Sequence, residues 1–328
     1  MKKVNIDLCS WPNIALIKYW GKKSGQTPLN PSLSVNLNRA QTRFTGQISV
    51  HDQKKAQLRL NQFEDKLQKK LDEFSLQHSW VNQLLLELQS ENNFPHSCGI
   101  ASSASSMSAF AKVLAFSYQS FFDERPSMEQ ISSWARFFSG SACRSIEKGW
   151  FLWGQTELHA NTSDFYSVKI DQIHPSFSQL CDTILIFDDS VKQLSSTEGH
   201  QLMENHPQKN QRRQRANERL EQLLKALAEG QTEKFCHLVE AEALDLHFLM
   251  MTGLRPYSLL SGLSLEMIKS MWKFREEQNL FITFTIDAGP NLHLIYPLKN
   301  QNMIQRWLAD HPLKDSFTCF EDTLGEKF

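Results

Sequence analysis

The order of apolar segments along the chain constrains its fold more than any other feature of the sequence. Short apolar runs typical of buried strands, such as 281–286 and 292–296, are interspersed with longer stretches of helical period. Strands and helices do not alternate at the regular spacing of βαβ units, which predicts an α+β protein rather than a doubly wound sheet. The chain becomes polar from residue 188 to residue 214, so we expect two domains, 1–185 and 186–328.

Individual elements follow from the local period. Alternation of polar and apolar residues over 32–37 predicts a strand with one buried face, whereas apolar spacing over 80–88 predicts a helix. Further strands are predicted at 43–50 and 56–60, as parts of a meander, and at 150–153, 166–170 and 181–187. Further helices are predicted at 105–118, after a loop over 94–104, and at 131–138, 217–227 and 232–249.

Composition and charge exclude several functional classes. Hydrophobic residues make up 41% of the 328 residues and charged residues 22%, so a packed core is expected rather than disorder. A net charge of -1 gives no overall attraction to nucleic acid or to anionic membranes, so any anion site must be built from local charges. The basic run 209–215 is predicted to lie on a solvated helix face balanced by Glu218 and Glu221, rather than to bind nucleic acid.

The sequence predicts a soluble, cytoplasmic protein. Asp7 and Pro12 interrupt the N-terminal segment before it can form the apolar core of a signal peptide. No uninterrupted apolar stretch approaches the roughly 20 residues that span a bilayer. The 6 cysteines form no CxxC pair, which favours reduced thiols in a cytosolic protein over a disulfide framework.

Small residues in the loop 95–104 (PHSCGIASSA) would let backbone amides approach an anion. If a helix begins near Ser103, its N-terminal amides and dipole favour phosphate. The hydroxyls of Ser102 and Ser103 can bind a phosphate or help to hold Mg²⁺. The Gly-Lys-Ser/Thr ending of a Walker loop is absent. A plain helix cap is the alternative interpretation of this loop.

A second small-residue segment, SGSACRS at 139–145, lies between a predicted helix and a predicted strand. Arg144 supplies a planar fork suited to bidentate binding of phosphate or carboxylate. The alternative is a capped helix with an arginine on its surface.

Asp287 ends an apolar strand beside the turn Gly289-Pro290, where an unpaired carboxylate would be costly to bury. It could anchor the turn through backbone hydrogen bonds. The functional interpretation is a carboxylate base, or a positioning group near a cation.

The segment 12–22 places two lysines, Lys18 and Lys22, beside the aromatic residues Tyr19 and Trp20. Fixed aromatic rings and a backbone turn at Gly21 can position a substrate while the lysines neutralise its charge. A strand with solvated lysine ends is the alternative.

Taken in this order, the motifs resemble those of the mevalonate diphosphate decarboxylase family of the GHMP kinase superfamily. The resemblance is carried by NIALIKYWGK at 13–22, LNPSLSVNL at 29–37, NNFPHSCGIASSAS at 92–105, SGSACRS at 139–145, SSTEG at 195–199 and DAGPN at 287–291. It implies a two-domain GHMP-kinase-like fold, with an ATP-binding N-terminal domain, an α/β sandwich C-terminal domain and the active site in the cleft between them.

The resemblance also implies an activity. Members use ATP and Mg²⁺ to decarboxylate mevalonate 5-diphosphate to isopentenyl diphosphate, and a homodimer is expected. Three alternatives stay open: a decarboxylase of mevalonate 5-phosphate, a relative that only phosphorylates the 3-hydroxyl, and a non-catalytic binding protein on the same fold. Retention of Lys18 and Asp287 argues against a pure kinase, and the set of Lys18, Arg144 and Asp287 argues against a binding protein.

Site residues carried over by the resemblance fall into three groups. The catalytic residues are Asp287, Lys18 and Arg144. The substrate-binding residues are Tyr19, Trp20, Gly21, Lys22, Ser139, Gly140, Ser141, Ala142, Cys143, Arg144, Ser195 and Thr197. The ATP-binding residues are Gly99, Ala101, Ser102, Ser103 and Ser105, and no metal ligand is assigned.

The chain departs from the family pattern at two places, and a third feature has several candidates. Lys148-Gly149 stands where two glycines are common, and Glu242-Ala243-Leu244 stands where Asp-Ser-Asn is common, although His247 still follows. The family also uses a basic residue after the second strand pair, for which Lys66, Lys69 and Lys70 are all candidates.

Overall fold

A computed structural model of the chain describes residues 3–51, 55–95, 100–187 and 196–325. The strands are β1 (Lys3–Ser10), β2 (Asn13–Ala15), β3 (Ser32–Asn36), β4 (Thr42–Val50), β5 (Gln57–Leu60), β6 (Leu84–Asn92), β7 (Trp150–Trp153), β8 (Ser167–Lys169), β9 (Leu180–Ile186), β10 (Thr283–Ile286), β11 (Leu292–Pro297) and β12 (Thr318–Leu324). The α-helices are α1 (Glu64–Ser75), α2 (Ser102–Phe122), α3 (Met128–Phe138), α4 (Ser196–Leu202), α5 (Lys209–Glu229), α6 (Thr232–Thr252), α7 (Gly262–Gln278) and α8 (Gln301–Ala309).

The strands form three four-stranded sheets, in the orders β1-β4-β6-β5, β2-β3-β7-β8 and β10-β11-β9-β12. Helices α2 and α3 pack with the first sheet around a core that includes Phe44, Phe110 and Phe138. Helices α5 and α6 pack with the second and third sheets around a core that includes Val35 and Leu220. Separate layers of helices and largely antiparallel sheets confirm the α+β prediction.

The helix predicted for 80–88 is wrong. Residues 79–83 form a short 3-10 turn, and the chain then continues as strand β6. Leu84, Leu86 and Leu88 are buried on one face of this strand, which is the period of a strand. Consecutive leucines fit both periods locally, and the long pairing of β6 with β4 decides between them.

The meander predicted for 43–50 and 56–60 is also wrong. Both segments are strands, but β5 pairs in parallel with β6 rather than with β4. Helix α1 and the turn 79–83 carry the chain from β5 to β6, as a parallel connection requires.

Strand β3 is confirmed, but it is buried on both faces rather than on one. Leu33 and Val35 point into the core shared with α5, while Ser32 and Asn36 hydrogen-bond to Arg144 in the 3-10 turn 140–145. Another segment of the protein therefore covers part of the polar face, because Ser32 and Asn36 find hydrogen-bond partners there.

Most of the other predicted elements are confirmed with shifted ends. Helix α2 begins at Ser102, within the predicted loop, and the helices predicted at 131–138, 217–227 and 232–249 lie within α3, α5 and α6. The predicted strands at 150–153, 166–170, 181–187, 281–286 and 292–296 correspond to β7, β8, β9, β10 and β11.

Strand β9 pairs with β11 and β12, so residue 185 lies inside the third sheet. The division of the chain into domains 1–185 and 186–328 stays a prediction. In the described part of the chain, no helix combines the length and the apolar character needed to cross a bilayer.

Candidate active site

A cavity of about 880 Å³ is lined by residues from widely separated parts of the sequence. Most of the predicted site residues line it: Lys18, Tyr19, Trp20, Lys22, Ala101, Ser102, Ser103, Ser139, Gly140, Ser141, Arg144 and Asp287. The fold thus brings the four separate motifs to one place.

Other predicted residues lie behind this lining. Ala142 and Cys143 are buried, and the Cys143 thiol donates to the Gly140 carbonyl oxygen at 3.1 Å. Gly21 has a positive φ of 89°, which favours glycine at this turn. Gly99 and Ser195 lie outside the described residues, and so does the side chain of Thr197.

The cavity lining includes an ion pair between Lys18 and Asp287. Lys18 Nζ lies 2.7 Å from Asp287 Oδ1, and the two side chains are 3% and 27% exposed. The carboxylate therefore reaches the cavity while the lysine beneath it is sealed from solvent. This position, at the end of β10, matches the prediction that Asp287 would lie beside a cation.

Helix α6 holds both members of this pair. Glu242 Oε1 accepts from the Lys18 backbone N–H at 2.9 Å. His247 Nε2 lies 3.1 Å from the Asp287 carbonyl oxygen. Burial, and next the nearby Lys18, lower the pKa of His247 to about 4, so the imidazole is neutral and its Nε2–H donates to that carbonyl. One helix thus contacts both Lys18 and Asp287 and helps to set their positions.

A buried charge cluster lies behind Lys18. Arg212 from α5 is paired with Glu242, and both side chains are 0% exposed. Arg212 Nη2 also donates to the Lys18 carbonyl oxygen at 3.1 Å. Arg219 and Asp245 complete the cluster, with Arg219 Nη1 at 2.8 Å from Glu242 Oε2 and 2.9 Å from Asp245 Oδ2.

The solvated-face interpretation of the basic run 209–215 is therefore wrong for Arg212. This residue faces inward, because two acidic residues on α6 neutralise it where α5 and α6 pack together. Arg215 is also engaged, with its Nη2 at 2.8 Å from Asp245 Oδ1.

Arg144 is held in a buried socket at the cavity wall. Its Nη1 donates to Ser32 Oγ at 2.6 Å, and its Nε and Nη2 donate to Asn13 Oδ1 at 3.3 and 3.2 Å. Asn13 in turn donates to the Ser141 carbonyl oxygen at 3.1 Å and to Ser145 Oγ at 2.8 Å. A guanidinium carries more N–H donors than these bonds use, so Arg144 retains donors for an anionic ligand.

Tyr19 presents a buried hydroxyl that has no hydrogen-bond partner in the described part of the chain. Burial is the main cause that raises the pKa of this phenol, so the hydroxyl is a proton donor at neutral pH. Gly140 packs so closely that a Cβ there would lie 2.8 Å from the Tyr19 hydroxyl oxygen. The small residue at 140 therefore makes room for the phenol.

The N-terminus of α2 forms another part of the wall. Ala101 is the N-cap, and no side chain among the described residues caps the helix, so Ser102 and Ser103 do not serve as the predicted alternative, a helix cap. Ser105 faces away from the cavity, with its Oγ 2.6 Å from Thr42 Oγ1. The first turn of α2 thus directs backbone amides and the hydroxyl-bearing residues Ser102 and Ser103 toward the cavity.

Lysines from two segments give the cavity its positive charge. Lys66 and Lys70 line it together with Lys22, whereas Lys69 is exposed on another side of α1. Spacing of four residues places Lys66 and Lys70 on the same helix face. Burial is the largest cause that lowers the pKa of Lys70, and the neighbouring cations Lys66 and Lys22 add to it. Two of the three candidate lysines therefore reach the site.

No group of three or more metal-ligating His, Cys, Asp or Glu side chains occurs among the described residues. Mg²⁺ in nucleotide sites commonly keeps several waters and is bound by substrate phosphates with one or two protein oxygens. Asp287 and the hydroxyls of Ser102 and Ser103 are oxygen donors of this kind on the cavity wall. The donor set fits Mg²⁺ that arrives with a nucleotide.

Comparison with known proteins identifies the family. A family model described as the diphosphomevalonate decarboxylase-like N-terminal domain matches residues 10–165. A second, the mevalonate 5-diphosphate decarboxylase C-terminal domain, matches residues 183–323. The chain is 30% identical to the diphosphomevalonate decarboxylase of Candida albicans, over 91% of this chain and 86% of the relative. The chain belongs to the diphosphomevalonate decarboxylase family.

Solved structures of diphosphomevalonate decarboxylases share the fold. A mevalonate diphosphate decarboxylase from Legionella pneumophila matches with a TM-score of 0.82 at 26% identity, over 97% of this chain and 100% of that one. A structure of MDDEF in complex with MVAPP, AMPPCP and magnesium matches with a TM-score of 0.81 at 25% identity, over 99% of this chain and 98% of that one. The predicted GHMP-kinase-like fold is confirmed.

Proposed function

We propose that this chain catalyses the ATP-dependent decarboxylation of mevalonate 5-diphosphate to isopentenyl diphosphate, with release of ADP, phosphate and CO₂. Family membership supports the activity, and a relative that matches over nearly the whole chain was solved with MVAPP, AMPPCP and magnesium. The observation that carries the proposal is the Lys18–Asp287 ion pair, which shares one cavity with the N-terminus of α2 and with Arg144.

Asp287 is the proposed base. The tertiary 3-hydroxyl of the substrate is a weak nucleophile, so it must lie in line with the γ-phosphate of ATP and lose its proton during transfer. The carboxylate accepts that proton while Lys18 holds the carboxylate in place from below. Phosphate then leaves C3 of the substrate with the electron pair of the C–O bond. The bond between the substrate's own carboxylate and its neighbouring carbon breaks, and its electrons form the new double bond as CO₂ departs.

The N-terminus of α2 is the proposed ATP site. Ala101, Ser102 and Ser103 line the cavity where the helix dipole favours phosphate, and Gly99 is proposed to take part in the same loop. Ser105 is proposed to support this loop through its contact with Thr42. Mg²⁺, when bound with the nucleotide, would neutralise phosphate charge, held by the phosphates and by oxygens of Ser102, Ser103 or Asp287.

Another part of the cavity wall is the proposed site of the substrate. Arg144 supplies the fork for an anionic group, Tyr19 supplies a buried hydroxyl, and Lys22 supplies charge. Trp20, Gly21 and the segment 139–143 shape this wall, and Ser195 and Thr197 are proposed to contact the diphosphate. We further propose that the enzyme is cytoplasmic and works as a homodimer.

A single assay tests the proposed reaction. The protein is incubated with ATP and Mg²⁺ and with either mevalonate 5-diphosphate or mevalonate 5-phosphate, and ADP, phosphate and CO₂ are measured. We expect equal amounts of all three products from the diphosphate and little turnover of the monophosphate. Preference for the monophosphate, or ADP without CO₂, would replace the proposal by one of the related activities, and no turnover would refute it.

Arg144→Lys should lower kcat/KM for mevalonate 5-diphosphate by about 30- to 150-fold, which corresponds to roughly 2–3 kcal/mol of lost charged hydrogen bonding. Lysine keeps the charge, but it lacks the planar fork whose separate nitrogens donate to Ser32 and Asn13 and leave further N–H groups for the substrate. Steady-state kinetics measure the effect. Arg59→Lys, in a surface pair with Glu87, is the matched control and should leave kcat/KM unchanged. Near-normal kcat/KM for Arg144→Lys would remove this residue from the site.

Ser103→Ala should raise the KM for ATP and lower kcat while leaving thermal stability unchanged. The Ser103 side chain is exposed at the first turn of α2 and caps no helix, so its loss affects phosphate or Mg²⁺ contacts rather than folding. ATP-dependent kinetics and a thermal melt measure both quantities. Ser178→Ala, a serine far along the chain that donates only to Pro175 among the described contacts, serves as the control. Unchanged ATP kinetics with a lower melting temperature would favour a structural role.

A further inference from the structure

His200 lies at the substrate wall of the cavity, although no motif in the sequence pointed to it. It lies on α4, is 8% exposed, and lines the cavity. Its ring lies 4.4 Å from the Tyr19 ring and 5.0 Å from the Trp20 ring, measured between centroids. The neighbouring Gly199 packs against Trp20 so closely that a Cβ would lie 2.4 Å from a Trp20 ring carbon. The imidazole is thus held among the aromatic residues proposed to bind substrate.

A backbone amide sets the tautomer of His200. The Gly21 N–H donates to His200 Nδ1 at 3.0 Å, and an amide N–H can only donate. Nδ1 must therefore lack a proton, and a neutral imidazole with this arrangement carries its proton on Nε2. No residue in the described ranges accepts a hydrogen bond from Nε2. The ring thus has one donor left, and it lies on a residue that lines the cavity.

The imidazole stays neutral across the physiological range. Burial, and next the charge of Lys22, lower the pKa of His200 to about 4. Lys22, Lys66 and Lys70 all line the same cavity, so an anion is attracted there without a charge on the imidazole. A neutral donor adds direction to this attraction, because a hydrogen bond depends on angle whereas the lysine charges act at a distance.

We propose, on the basis of the function proposed above, that the Nε2–H of His200 donates a hydrogen bond to the diphosphate of mevalonate 5-diphosphate. His200 is then a substrate-binding residue that orients the diphosphate beside Lys22. The hydrogen bond from the Gly21 amide to Nδ1 keeps the imidazole proton on Nε2. The residue touches no reacting atom of the 3-hydroxyl, so it acts on substrate affinity rather than on the chemical steps.

Two substitutions distinguish the role of Nδ1 from the role of Nε2. In His200→Asn, the amide oxygen can take the place of Nδ1 and accept from Gly21, but nothing reaches the position of Nε2. In His200→Gln, the amide NH₂ reaches the position of Nε2, but the acceptor for Gly21 is lost. We expect His200→Asn to bind mevalonate 5-diphosphate about 10-fold more weakly or worse by calorimetry. We expect His200→Gln to bind it within about 3-fold of the wild-type affinity.

The KM for ATP and kcat should stay near wild type in His200→Asn, because the proposed contact is with the diphosphate alone. His206 provides the matched control, since it is a buried histidine whose Nε2 lies 2.9 Å from the Leu249 carbonyl oxygen. His206→Asn should leave the dissociation constant of mevalonate 5-diphosphate unchanged. A raised KM for ATP with normal diphosphate affinity would assign His200 to the nucleotide instead and overturn the proposal.

The opposite order of affinities in the two His200 variants would also overturn the proposal. Weak binding in His200→Gln with normal binding in His200→Asn would mean that His200 serves only to hold the Gly21 turn. A measurement on the wild-type chain needs no substitution: imidazole ¹⁵N shifts should show the Nε2–H tautomer at pH 7, and that proton should shift when the diphosphate is added. If the wild type binds and turns over the diphosphate but the resonance does not move, the His200 proposal fails alone. If the wild type neither binds nor turns over the diphosphate, the proposed function fails first.

Discussion

Asp287→Asn should fold, bind ATP and mevalonate 5-diphosphate, and release almost no ADP or CO₂. Asparagine preserves the shape of the side chain at the end of β10 but removes its charge and most of its basicity. Loss of a general base costs about 10²- to 10⁴-fold in rate, and the broken pair with Lys18 adds a loss of alignment. Single-turnover measurements of ADP and CO₂ are the direct test, because they separate the chemical steps from product release.

The two products distinguish the steps at which Asp287 acts. ADP formed at a normal rate without CO₂ would mean that the carboxylate acts only after phosphorylation. Wild-type rates of both products would refute the catalytic assignment. Asp171→Asn is the control, since this aspartate is exposed and lies outside the cavity lining. Calorimetry with ATP and with the diphosphate checks that the variant still binds both.

The spacing of apolar residues predicted most of the helices and strands that lie near the site. It failed where pairing between distant segments decides whether a segment is a helix or a strand and which strand it pairs with. Short, largely apolar runs such as those of β9 and β11 are typical of buried strands, because they are shorter than most helices. Residues 84–88 satisfy a helical and an extended period equally, and the pairing with β4 settles them as a strand. The same reason explains β5, whose parallel partner β6 follows only after α1.

The site was predictable where its chemistry lies within one segment. Residue type and neighbouring sequence were enough to suggest three features of the site. These are the fork donor Arg144, the strand-end carboxylate Asp287 and the close-packed turn at 139–141. The family resemblance predicted both Lys18 and Asp287 as catalytic residues, and the structure places Lys18 Nζ 2.7 Å from Asp287 Oδ1.

The residues that support the site gave no such local signal. Asn13 lies in the first motif, but its contact with Arg144 joins segments 131 residues apart. Glu242 and Arg212 lie on two helices, and their role depends on which helix faces meet. His200 follows directly after the SSTEG motif, yet its value as a donor depends on a backbone amide at Gly21. Long-range packing sets these roles, and composition or spacing does not reveal them.

Glu242 shows how much of the site rests on such packing. Its carboxylate is fully buried, neutralises Arg212 and Arg219, and accepts from the Lys18 backbone N–H. Removing one partner of a buried ion pair leaves an uncompensated charge, which costs about 3–5 kcal/mol. Glu242→Ala should therefore lower the free energy of unfolding by about 3–5 kcal/mol, measured by urea denaturation with circular dichroism. Glu221→Ala, at an exposed position on α5, is the control and should change stability by less than about 0.5 kcal/mol.

A second substitution at the same position separates charge from shape. Glu242→Gln keeps an oxygen that can accept from the Lys18 N–H but leaves the two arginines with only Asp245 to neutralise them. If charge is what matters, this variant should lose nearly as much stability as Glu242→Ala, because the desolvated guanidinium of Arg212 dominates the cost. If the hydrogen bond to Lys18 matters more, Glu242→Gln should be close to wild type in stability and in kcat. A loss below about 1 kcal/mol in both variants would show that Asp245 alone compensates the arginines, and that Asn30 and Asp287 position Lys18 without help from Glu242.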